Sequence, residues 1–416
     1  MEISLDRILT DLENVIQFNK TPQNGCTRFS YSKEDRMARD YLMTKMNELG
    51  MSIKVDGIGN IRAKFCEGLQ TPSIMIGSHI DTVENGGKYD GLIGVLAALE
   101  TIRVLKEEKV ELDQPIELII FAEEEGSNFG VTMLGSKVLT GKLTLEQLKS
   151  IKNETGLSVY EVCKNFGLNV DAVEAEQISK NEVDSMIELH IEQGAVLENE
   201  KKSIGIVQAI AGMKTFKVTL EGDSNHAGTT PMNLRADPMV GASKVITHIQ
   251  NAAKTLALPT TVATVGKIFC EPNMANVIPK KVEFFIDIRD VELEGIEAVV
   301  NHLTEIVRVA TKENSLKSHI ELIGKSNSVK LSSRIINLIV EAAIASDSNY
   351  MKMNSGAVHD SAMMADVTDV GMIFIPSIRG KSHSPEEFST LEDIKAGCNL
   401  LLKTVKSLAS KKIYKY

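Results

Sequence analysis

Four short runs of apolar residues, spaced widely along the chain, dominate the pattern of the sequence. They read SIMI, IELIIFA, SMIELH and GMIFIP, and each is followed by a polar or glycine-containing segment. Continuous apolar runs of this length are typical of strands buried on both faces of a parallel sheet. Segments with helical periodicity precede and follow these apolar runs, at about residues 4–19, 32–50, 332–347 and 391–410. This alternation predicts an α/β fold with a large three-layer α/β/α domain.

A block in the middle of the chain, residues 211–325, has a different pattern. Its strand patterns TFKVTLEG, TTVATVGKIF, KVEFFIDIRD and HIELIGK alternate, and helical patterns separate them at about 237–254 and 292–312. Alternation is typical of a sheet with one face buried. The order strand, helix, strand, strand, helix, strand predicts a compact α+β sandwich inserted into the larger domain. We therefore predict one domain of residues 1–210 and 326–416 and a second of 211–325.

The composition narrows the class of protein. The 416 residues exceed what one hydrophobic core usually serves, which agrees with two domains. The charge sum is 46 minus 56, a net charge of −10 without any basic block, which argues against nucleic acid and membrane surfaces as partners. No apolar run approaches the roughly 20 residues of a membrane span, and the acidic amphipathic start does not resemble a signal peptide. The five cysteines are scattered and include no CxxC, so we predict a cytoplasmic protein.

The segment GSHIDTVENGGKYDG, residues 77–91, carries the first candidate chemistry. His79 and Asp81 follow the buried SIMI strand, and Asp90 follows a glycine turn and opens a long apolar helix pattern. Open α/β sheets place ligand sites at the carboxyl ends of their strands, and an imidazole with two carboxylates suits a divalent metal. Each residue alone has a plainer explanation. A strand-end histidine is more often structural, and an aspartate that opens a helix is usually its N-cap.

The distribution of the histidines favours the metal explanation. His248, His302 and His319 stand in ordinary helical or strand patterns. The other five stand in loop-like sequence rich in glycine and serine: His79, His190, His226, His359 and His383. Such residues are costly near a core unless they are paired or bind a metal. Their occurrence together with Asp90 and the acidic run at 123–125 predicts a metal site.

Three consecutive glutamates, Glu123 to Glu125, directly follow the apolar run IELIIFA. Adjacent residues that leave a strand point to opposite sides, so we predict different roles for Glu124 and Glu125. One would bind metal, and the other would face the substrate and transfer protons. The alternative is a solvated acidic turn, but the buried strand directs the run to the end of the sheet rather than to solvent.

Six groups of motifs occur in order along nearly the whole chain: GSHIDTV with YDG, AEEEGSNFG, ELHIEQGAVLE, DSNHAGTTPMNLRADP, NMANVIP with DIRD, and IPSIRGKSHSPEE. On these motifs the chain resembles the hydantoinase/carbamoylase family of amidases, within the wider class of two-metal aminoacylases and metallopeptidases. Any one motif is only suggestive, whereas the ordered set is specific. The family includes N-carbamoyl-L-amino acid hydrolases, allantoate amidohydrolases and β-ureidopropionases.

The resemblance implies two divalent metal ions per subunit, zinc or manganese, with cobalt or nickel also acceptable. Two histidines would hold one ion, a glutamate and a histidine the other, and an aspartate would bridge them: His79, His190, Glu125, His383 and Asp90. Asp81 would orient His79. Glu124 would be the general base that accepts a proton from the attacking water and passes it to the leaving nitrogen.

The resemblance also assigns substrate-binding residues, most of them in the inserted domain: Gln193, Lys214, His226, Asn276, Arg289 and Gly356. Arg289 and Asn276 would hold the substrate carboxylate, since an arginine fork suits a carboxylate. The alternative for Arg289 is a salt bridge with Asp287 or Asp290. His226 would polarise the scissile carbonyl or its oxyanion, reaching in from the partner subunit. The inserted domain would serve as a lid and as the interface of a homodimer.

Three positions depart from the family's usual residues. Val358 replaces a small residue near His359, Asn128 stands where an arginine is common, and Lys214 keeps the charge of an arginine without its planar fork. None is a proposed metal ligand. The departures therefore do not affect the predicted reaction class, but they leave the identity of the substrate open.

The implied reaction is hydrolysis of the ureido C–N bond of a small carboxylated substrate, with the carbamoyl group released as ammonia and carbon dioxide. The expected substrates are N-carbamoyl-L-amino acids or allantoate. A dipeptidase or aminoacylase on the same metal platform is the alternative enzyme. A non-catalytic binding or scaffold protein is the alternative from another class. Such a protein would lack Glu124 or one of the five ligands, and all of these are present.

Overall fold

The computed structural model describes residues 1–21 and 25–410, which divide into two compact units. The larger unit contains Met1–Gln208, Leu331–Ser355 and the residues from His359 onward.

The smaller unit contains Ala209–Lys330 together with Gly356–Val358. The sequence placed the inserted domain at 211–325, so the observed unit begins earlier and ends later. The reason is a short antiparallel pairing in which Val329 and Lys330 bond to Ile210 and Ala209.

Thirteen strands form two sheets in the described part of the chain. In chain order they are β1 (Ser52–Val55), β2 (Ile61–Phe65), β3 (Ser73–His79), β4 (Ile116–Phe121), β5 (Val183–Ile191), β6 (Ile204–Ile210), β7 (Gly212–Glu221), β8 (Val262–Glu271), β9 (Lys281–Asp290), β10 (Lys317–Ser326), β11 (Val329–Lys330), β12 (Tyr350–Ser355) and β13 (Asp369–Ile375). The larger sheet has the order β1-β2-β4-β3-β5-β13-β6-β11, and β12 also pairs with β6. The smaller sheet has the order β10-β7-β9-β8.

The α-helices of the described residues lie between these strands and at both ends of the chain. They are α1 (Leu5–Ile16), α2 (Lys33–Glu48), α3 (Leu92–Glu107), α4 (Leu134–Leu139), α5 (Leu145–Ser150), α6 (Val159–Asn165), α7 (Val196–Asn199), α8 (Pro238–Thr255), α9 (Leu293–Glu313), α10 (Ser333–Ala345), α11 (Asp360–Met364) and α12 (Leu391–Ala409).

The four apolar runs form the centre of the larger sheet, as the sequence predicted. They are β4, β3, β5 and β13, which run side by side and parallel. Every residue of β3 and β4 is buried, which explains why these strands are apolar without alternation. Because parallel strands end at the same edge of a sheet, the residues that follow all four strands come together there.

Helices cover both faces of this sheet, which confirms the predicted α/β architecture. On β5, a side chain at Gly397 of α12 would collide with Leu189, so α12 packs directly on that position. The next residue, Glu188, instead accepts a hydrogen bond from Ser361 of α11 at 2.6 Å. Since neighbouring residues of a strand face opposite sides, α11 and α12 lie on different faces.

The smaller unit has the predicted order of strands and helices, β7, α8, β8, β9, α9 and β10. Its sheet is antiparallel, and β9 alternates strictly between buried and half-buried residues. The buried residues, such as Phe284 and Ile286, pack with residues of α8 and α9 in one core. The opposite face of the sheet and its edge strands expose apolar side chains, among them Phe269 and Leu322.

None of the helices in the described part of the chain is long and apolar enough to cross a lipid bilayer. The cytoplasmic location stays a prediction of the sequence.

Candidate active site

His79, the last residue of β3, is held in a defined orientation by the backbone that follows it. Its Nδ1 lies 3.1 Å from the carbonyl oxygen of Asp81. A carbonyl can only accept, so Nδ1 carries a proton, and in the neutral ring Nε2 keeps its lone pair. Nε2 lies 3.4 Å from Oδ1 of Asp90, and the ring is buried. This is the tautomer that a metal-binding histidine needs.

His190, near the end of β5, is arranged in the same way. Its Nδ1 lies 2.9 Å from the carbonyl oxygen of Ile191, and its Nε2 lies 3.2 Å from Oδ1 of Asp90. Nε2 also accepts the N–H of Gly91 at 3.3 Å. Two buried imidazoles therefore present Nε2 to the same carboxylate oxygen.

The other oxygen of Asp90 faces a second group of side chains. Oδ2 lies 3.3 Å from Nε2 of His383, 2.6 Å from the amide nitrogen of Gln193 and 2.9 Å from the hydroxyl of Ser382. Burial would raise the pKa of Asp90, but the histidine rings, led by His190, hold it well below its usual range. Asp90 thus offers one oxygen to each side, which is the arrangement of a bridging carboxylate.

The prediction that Asp90 opens the helix was wrong in detail. The N-cap of α3 is Gly91, with φ of +62°, and the helix begins at Leu92. A Cβ at position 91 would lie 2.5 Å from the ring of His79, so only glycine fits there. Because Asp90 precedes the cap, its carboxylate does not cap the helix and is directed to the histidines.

Glu125 and His383 complete the second group. Oε2 of Glu125 lies 3.3 Å from Nε2 of His383, and the hydrogen bond to Asp90 raises the pKa of His383 to about 9. Burial, and then the charge of Asp90, raise the pKa of Glu125 to about 8. Its Oε1 is buried and has no hydrogen-bond partner among the described residues. A buried carboxylate oxygen without a partner costs about 1–3 kcal/mol or more, so this oxygen favours a ligand.

The three glutamates are not arranged by strand alternation, because β4 ends at Phe121 and Glu123 has φ of +53°. The carboxylate of Glu123 accepts the backbone N–H groups of Asn128 at 2.7 Å and Phe129 at 3.1 Å, and so holds the loop. The side chains of Glu124 and Glu125 therefore reach different neighbours because of a turn and not because of strand alternation, and their different roles stay a prediction.

Asp81 fixes this turn. Its two carboxylate oxygens accept the N–H groups of Glu124 at 3.2 Å and Glu125 at 3.1 Å. Its carbonyl, rather than its carboxylate, makes the closer contact with His79, since Oδ1 lies 3.7 Å from Nδ1. Asp81 consequently orients His79 through the backbone and places the two glutamates through its side chain.

Glu124 is buried beside the first group of ligands. Its Oε2 lies 3.8 Å from Nε2 of His79. Burial raises the pKa of Glu124 well above its usual range, with His79 opposing and Asp360 and Glu125 adding to the rise. A carboxylate whose pKa is raised is a stronger base than an ordinary one, so Glu124 is suited to accept a proton.

Two sets of side chains fit metal ions by donor type and closeness. The donor atoms of His79, Asp90 and His190 all lie within 4.8 Å of one another. Asp90, Glu125 and His383 form the second such set, and the two share Asp90. Imidazole nitrogen and carboxylate oxygen are the ligands that zinc and similar divalent ions take.

A third set, Glu188, His190 and His359, fits a metal less well. The two oxygens of Glu188 already accept the hydroxyls of Ser78 at 2.7 Å and Ser361 at 2.6 Å. His359 has its ring centroid 4.7 Å from that of His190 and its Nε2 3.0 Å from the hydroxyl of Ser355. The sequence singled out His359 as a loop histidine and gave it no role. The structure makes it a packing neighbour of His190.

Gln193 lies among the ligands of the second group. Its amide nitrogen is 2.6 Å from Asp90 and 3.2 Å from Nε2 of His383, and its Oε1 is buried without a hydrogen-bond partner in the described structure. Its φ of +59° is unusual for a residue with a side chain. The backbone is therefore bent at the point that brings this amide to the site.

The remaining predicted substrate residues lie in the smaller unit and form two groups. Arg289, on β9, bonds to Asp287 with 2.7 Å between Nε and Oδ1, and its Nη1 donates to the carbonyl of Gly356 at 3.0 Å. The salt bridge proposed as the alternative for Arg289 is therefore present with Asp287. Lys214, on β7, pairs with Glu297.

His226 and Asn276 form the other group, on two exposed loops that are joined by backbone hydrogen bonds. The N–H of Ala227 donates to the carbonyl of Asn276 at 2.9 Å, and His226 bridges to Val277. Nδ1 of His226 accepts the N–H of Gly228 at 3.0 Å. In a neutral ring the proton must then be on Nε2, so His226 presents an N–H donor to the exterior.

Comparison with known proteins shows the family to which the chain belongs. Residues 75–407 match the family model described as peptidase family M20/M25/M40. An N-carbamoyl-L-amino-acid amidohydrolase of Pseudomonas sp. (strain NS671) is 38% identical over 97% of this chain and 98% of the relative. An allantoate amidohydrolase of Bacillus subtilis (strain 168) is 34% identical over 98% of this chain and 99% of the relative.

The crystal structure of a hydantoinase/carbamoylase family amidase from Burkholderia multivorans has a TM-score of 0.91 and 32% identity, over 98% of each chain. The family match and the amidohydrolases among the relatives support a hydrolase of amide C–N bonds, and the clustered histidines and carboxylates are side chains that could bind metal. The chain belongs to peptidase family M20/M25/M40 and, within it, to the hydantoinase/carbamoylase amidases.

Proposed function

We propose that this protein hydrolyses the ureido C–N bond of N-carbamoyl-L-amino acids or allantoate, and releases ammonia and carbon dioxide. One observation carries the proposal. The carboxylate of Asp90 faces His79 and His190 with one oxygen and His383 with the other, while Glu124 lies beside them. This is a paired ligand set with a free carboxyl group next to it, which suits hydrolysis by an activated water.

We further propose that two divalent ions, zinc or manganese, with cobalt or nickel as acceptable substitutes, bind this ligand set. When bound, they would lower the pKa of water and polarise the scissile carbonyl. One ion would be held by His79, His190 and Asp90. The other would be held by Glu125, His383 and Asp90.

Glu124 is the proposed general base. Its side chain is buried and its pKa is raised by that burial, so proton uptake is favoured over permanent ionisation. It would take the proton of the attacking water and pass it to the departing nitrogen. The carbamoyl group is then lost as ammonia and carbon dioxide, and the amine of the substrate is left.

The smaller unit supplies the proposed contacts to the rest of the substrate. Nε2–H of His226 is oriented as a donor and would stabilise negative charge on the carbonyl oxygen. Arg289 would bind the substrate carboxylate, aided by Asn276 and the positive charge of Lys214. We also propose that Gln193 and the backbone of Gly356 contact the substrate.

The two groups in the smaller unit lie at opposite ends of β9, so one copy of the unit cannot bring both to one substrate. Arg289 stands next to the last residue of β9, whereas His226 and Asn276 lie beyond its first residue, Lys281. The span from Lys281 to Arg289 is roughly 27 Å at about 3.4 Å per residue. An N-carbamoyl amino acid is about as long as two residues, roughly 7 Å.

We therefore propose a homodimer formed through the smaller unit, in which His226 and Asn276 of one subunit act at the site of the other. The exposed apolar side chains of this unit, including Phe269 and Leu322, support an interface there.

Mixing two inactive variants tests whether each active site is built from residues of both subunits. Glu124→Gln and His226→Ala are each expected to be inactive, the second through loss of a donor that contributes roughly 10²–10³-fold. Mixed dimers would contain one site with both native residues. Random exchange should then restore roughly a quarter of native activity, because half of the dimers are mixed and each regains one of two sites.

The control mixture combines Glu124→Gln with Asp90→Ala. Both substitutions lie in the larger unit, so no mixed dimer regains a complete site and the mixture should stay inactive. If the mixture with His226→Ala also stays inactive although subunits exchange, His226 acts within its own chain and the shared site is wrong.

The reaction class is tested by ammonia release. Metal-stripped protein reloaded with manganese or zinc would be given allantoate, N-carbamoyl-L-amino acids, N-carbamoyl-β-alanine and an N-acetyl amino acid. We expect metal-dependent ammonia release from a ureido compound, and the compound that reacts fastest identifies the substrate class. Hydrolysis of the acetyl compound alone, detected as free amine, would instead make the protein an aminoacylase.

A further inference from the structure

Glu387 is a buried carboxylate that joins the loop of Asp90 to the loop of His383. Its exposed fraction is 5%. Oε1 accepts the backbone N–H of Tyr89 at 2.7 Å and that of Asp90 at 3.1 Å, and Oε2 lies 3.1 Å from the hydroxyl of Ser382. Tyr89 and Asp90 are far from Ser382 and Glu387 in sequence, so the side chain of Glu387 links two segments that each carry a proposed metal ligand.

The surroundings of Glu387 are shaped around its carboxylate. A Cβ at Gly87 would lie 2.0 Å from Oε1, so the glycine lets the carboxylate approach the turn. The hydroxyl of Ser382 lies between Oε2 of Glu387 and Oδ2 of Asp90, at 3.1 and 2.9 Å. The ring of Phe388 packs edge-on against Tyr89, with centroids 6.2 Å apart.

We propose that Glu387 is a positioning residue that fixes the bridging carboxylate of Asp90 against the His383 loop and thereby sets the affinity for divalent ions. The proposal rests on the metal site proposed above. Its physical basis is that hydrogen bonds to a carboxylate are stronger than neutral ones. Two hydrogen bonds to the carboxylate of Glu387 hold the backbone of Tyr89 and Asp90 in place. The side chain of Asp90 therefore extends from a backbone of fixed position.

The test is a titration of metal-stripped protein with Zn²⁺ and with Mn²⁺, read as the dissociation constant by calorimetry or indicator competition. Glu387→Ala should raise the dissociation constant roughly 10- to 100-fold, the usual effect of losing a group that orients a ligand. Glu387→Gln keeps an oxygen that can accept both N–H groups, so it should restore most of the affinity. Excess metal should recover much of the activity of Glu387→Ala.

Asp56 provides a matched control. It is also 5% exposed, and its carboxylate accepts two backbone N–H groups, those of Ile58 and Asn60, and one side-chain donor. Asp56→Ala should lower the melting temperature while the dissociation constant for metal stays native. An equal loss of metal affinity in both variants would assign the effect to general destabilisation and overturn the proposal.

Two further variants apply if Glu387→Ala does not fold. Gly87→Ala would push the carboxylate away while Glu387 itself is kept, and Ser382→Ala removes the hydroxyl between the two carboxylates. Both should weaken metal binding, and unchanged dissociation constants in both would overturn the proposal. If the native protein binds neither Zn²⁺ nor Mn²⁺, the metal site itself fails. If native and Glu387→Ala proteins bind equally, only the role of Glu387 fails.

Discussion

Replacing Glu124 with glutamine is expected to lower kcat by roughly 10²- to 10⁴-fold, the usual contribution of a general base. The amide has nearly the same shape as the carboxyl group but cannot accept the proton of the attacking water. Because Glu124 belongs to neither proposed ligand set, the variant should bind divalent ions as the native protein does. The measurement is steady-state ammonia release together with metal content by mass spectrometry.

Glu123→Gln is the control for this prediction. Glu123 is buried and adjacent, and burial raises its pKa to about 8, so at neutral pH the amide resembles the native neutral acid. Its role is to accept the N–H groups of Asn128 and Phe129, and the amide oxygen can do the same. We expect native turnover. Substantial activity in Glu124→Gln, or an equal loss in both variants, would remove Glu124 as the base.

Replacing Asp90 with alanine is expected to abolish binding of both metal ions, and with it the activity. The loss should exceed the roughly 10- to 100-fold that removal of an orienting group costs, because Asp90 belongs to both ligand sets. It would also leave His79, His190 and His383 without the carboxylate that each now contacts.

The number of bound ions distinguishes this bridging role from simple damage to the fold. His383→Ala removes a ligand of the second set only, so it should lose one ion and keep the one held by His79, Asp90 and His190. Asp90→Ala should lose both, with circular dichroism unchanged. If Asp90→Ala keeps one tightly bound ion, Asp90 does not bridge, and the two sets are independent.

The residues around Asp90 show which parts of the site could be predicted from the sequence. The apolar runs led to the parallel strands, because only a strand buried on both faces is apolar without alternation. Once the strands were parallel, the residues after each of them had to meet at one edge. This reasoning brought His79, His190 and the glutamates to one place.

The directions of the three glutamate side chains could not be predicted correctly, because they depend on a turn with a positive φ at Glu123 and on hydrogen bonds to other segments. The same is true of Asp81, whose carboxylate holds two backbone N–H groups more than forty positions away in the chain. Glu387 also gave no sign in the sequence beyond its place in SHSPEE, since its partners stand near residue 90.

The sequence by itself determined the α/β class, the inserted α+β unit and the residue types of the site, because burial patterns and motif order are local properties of the chain. The tertiary structure decided which atom of each side chain faces which neighbour, where the units divide, and that Arg289 and His226 lie at opposite ends of one strand. These features depend on contacts between segments that are far apart in the chain. The pattern of residues along the sequence does not specify such contacts.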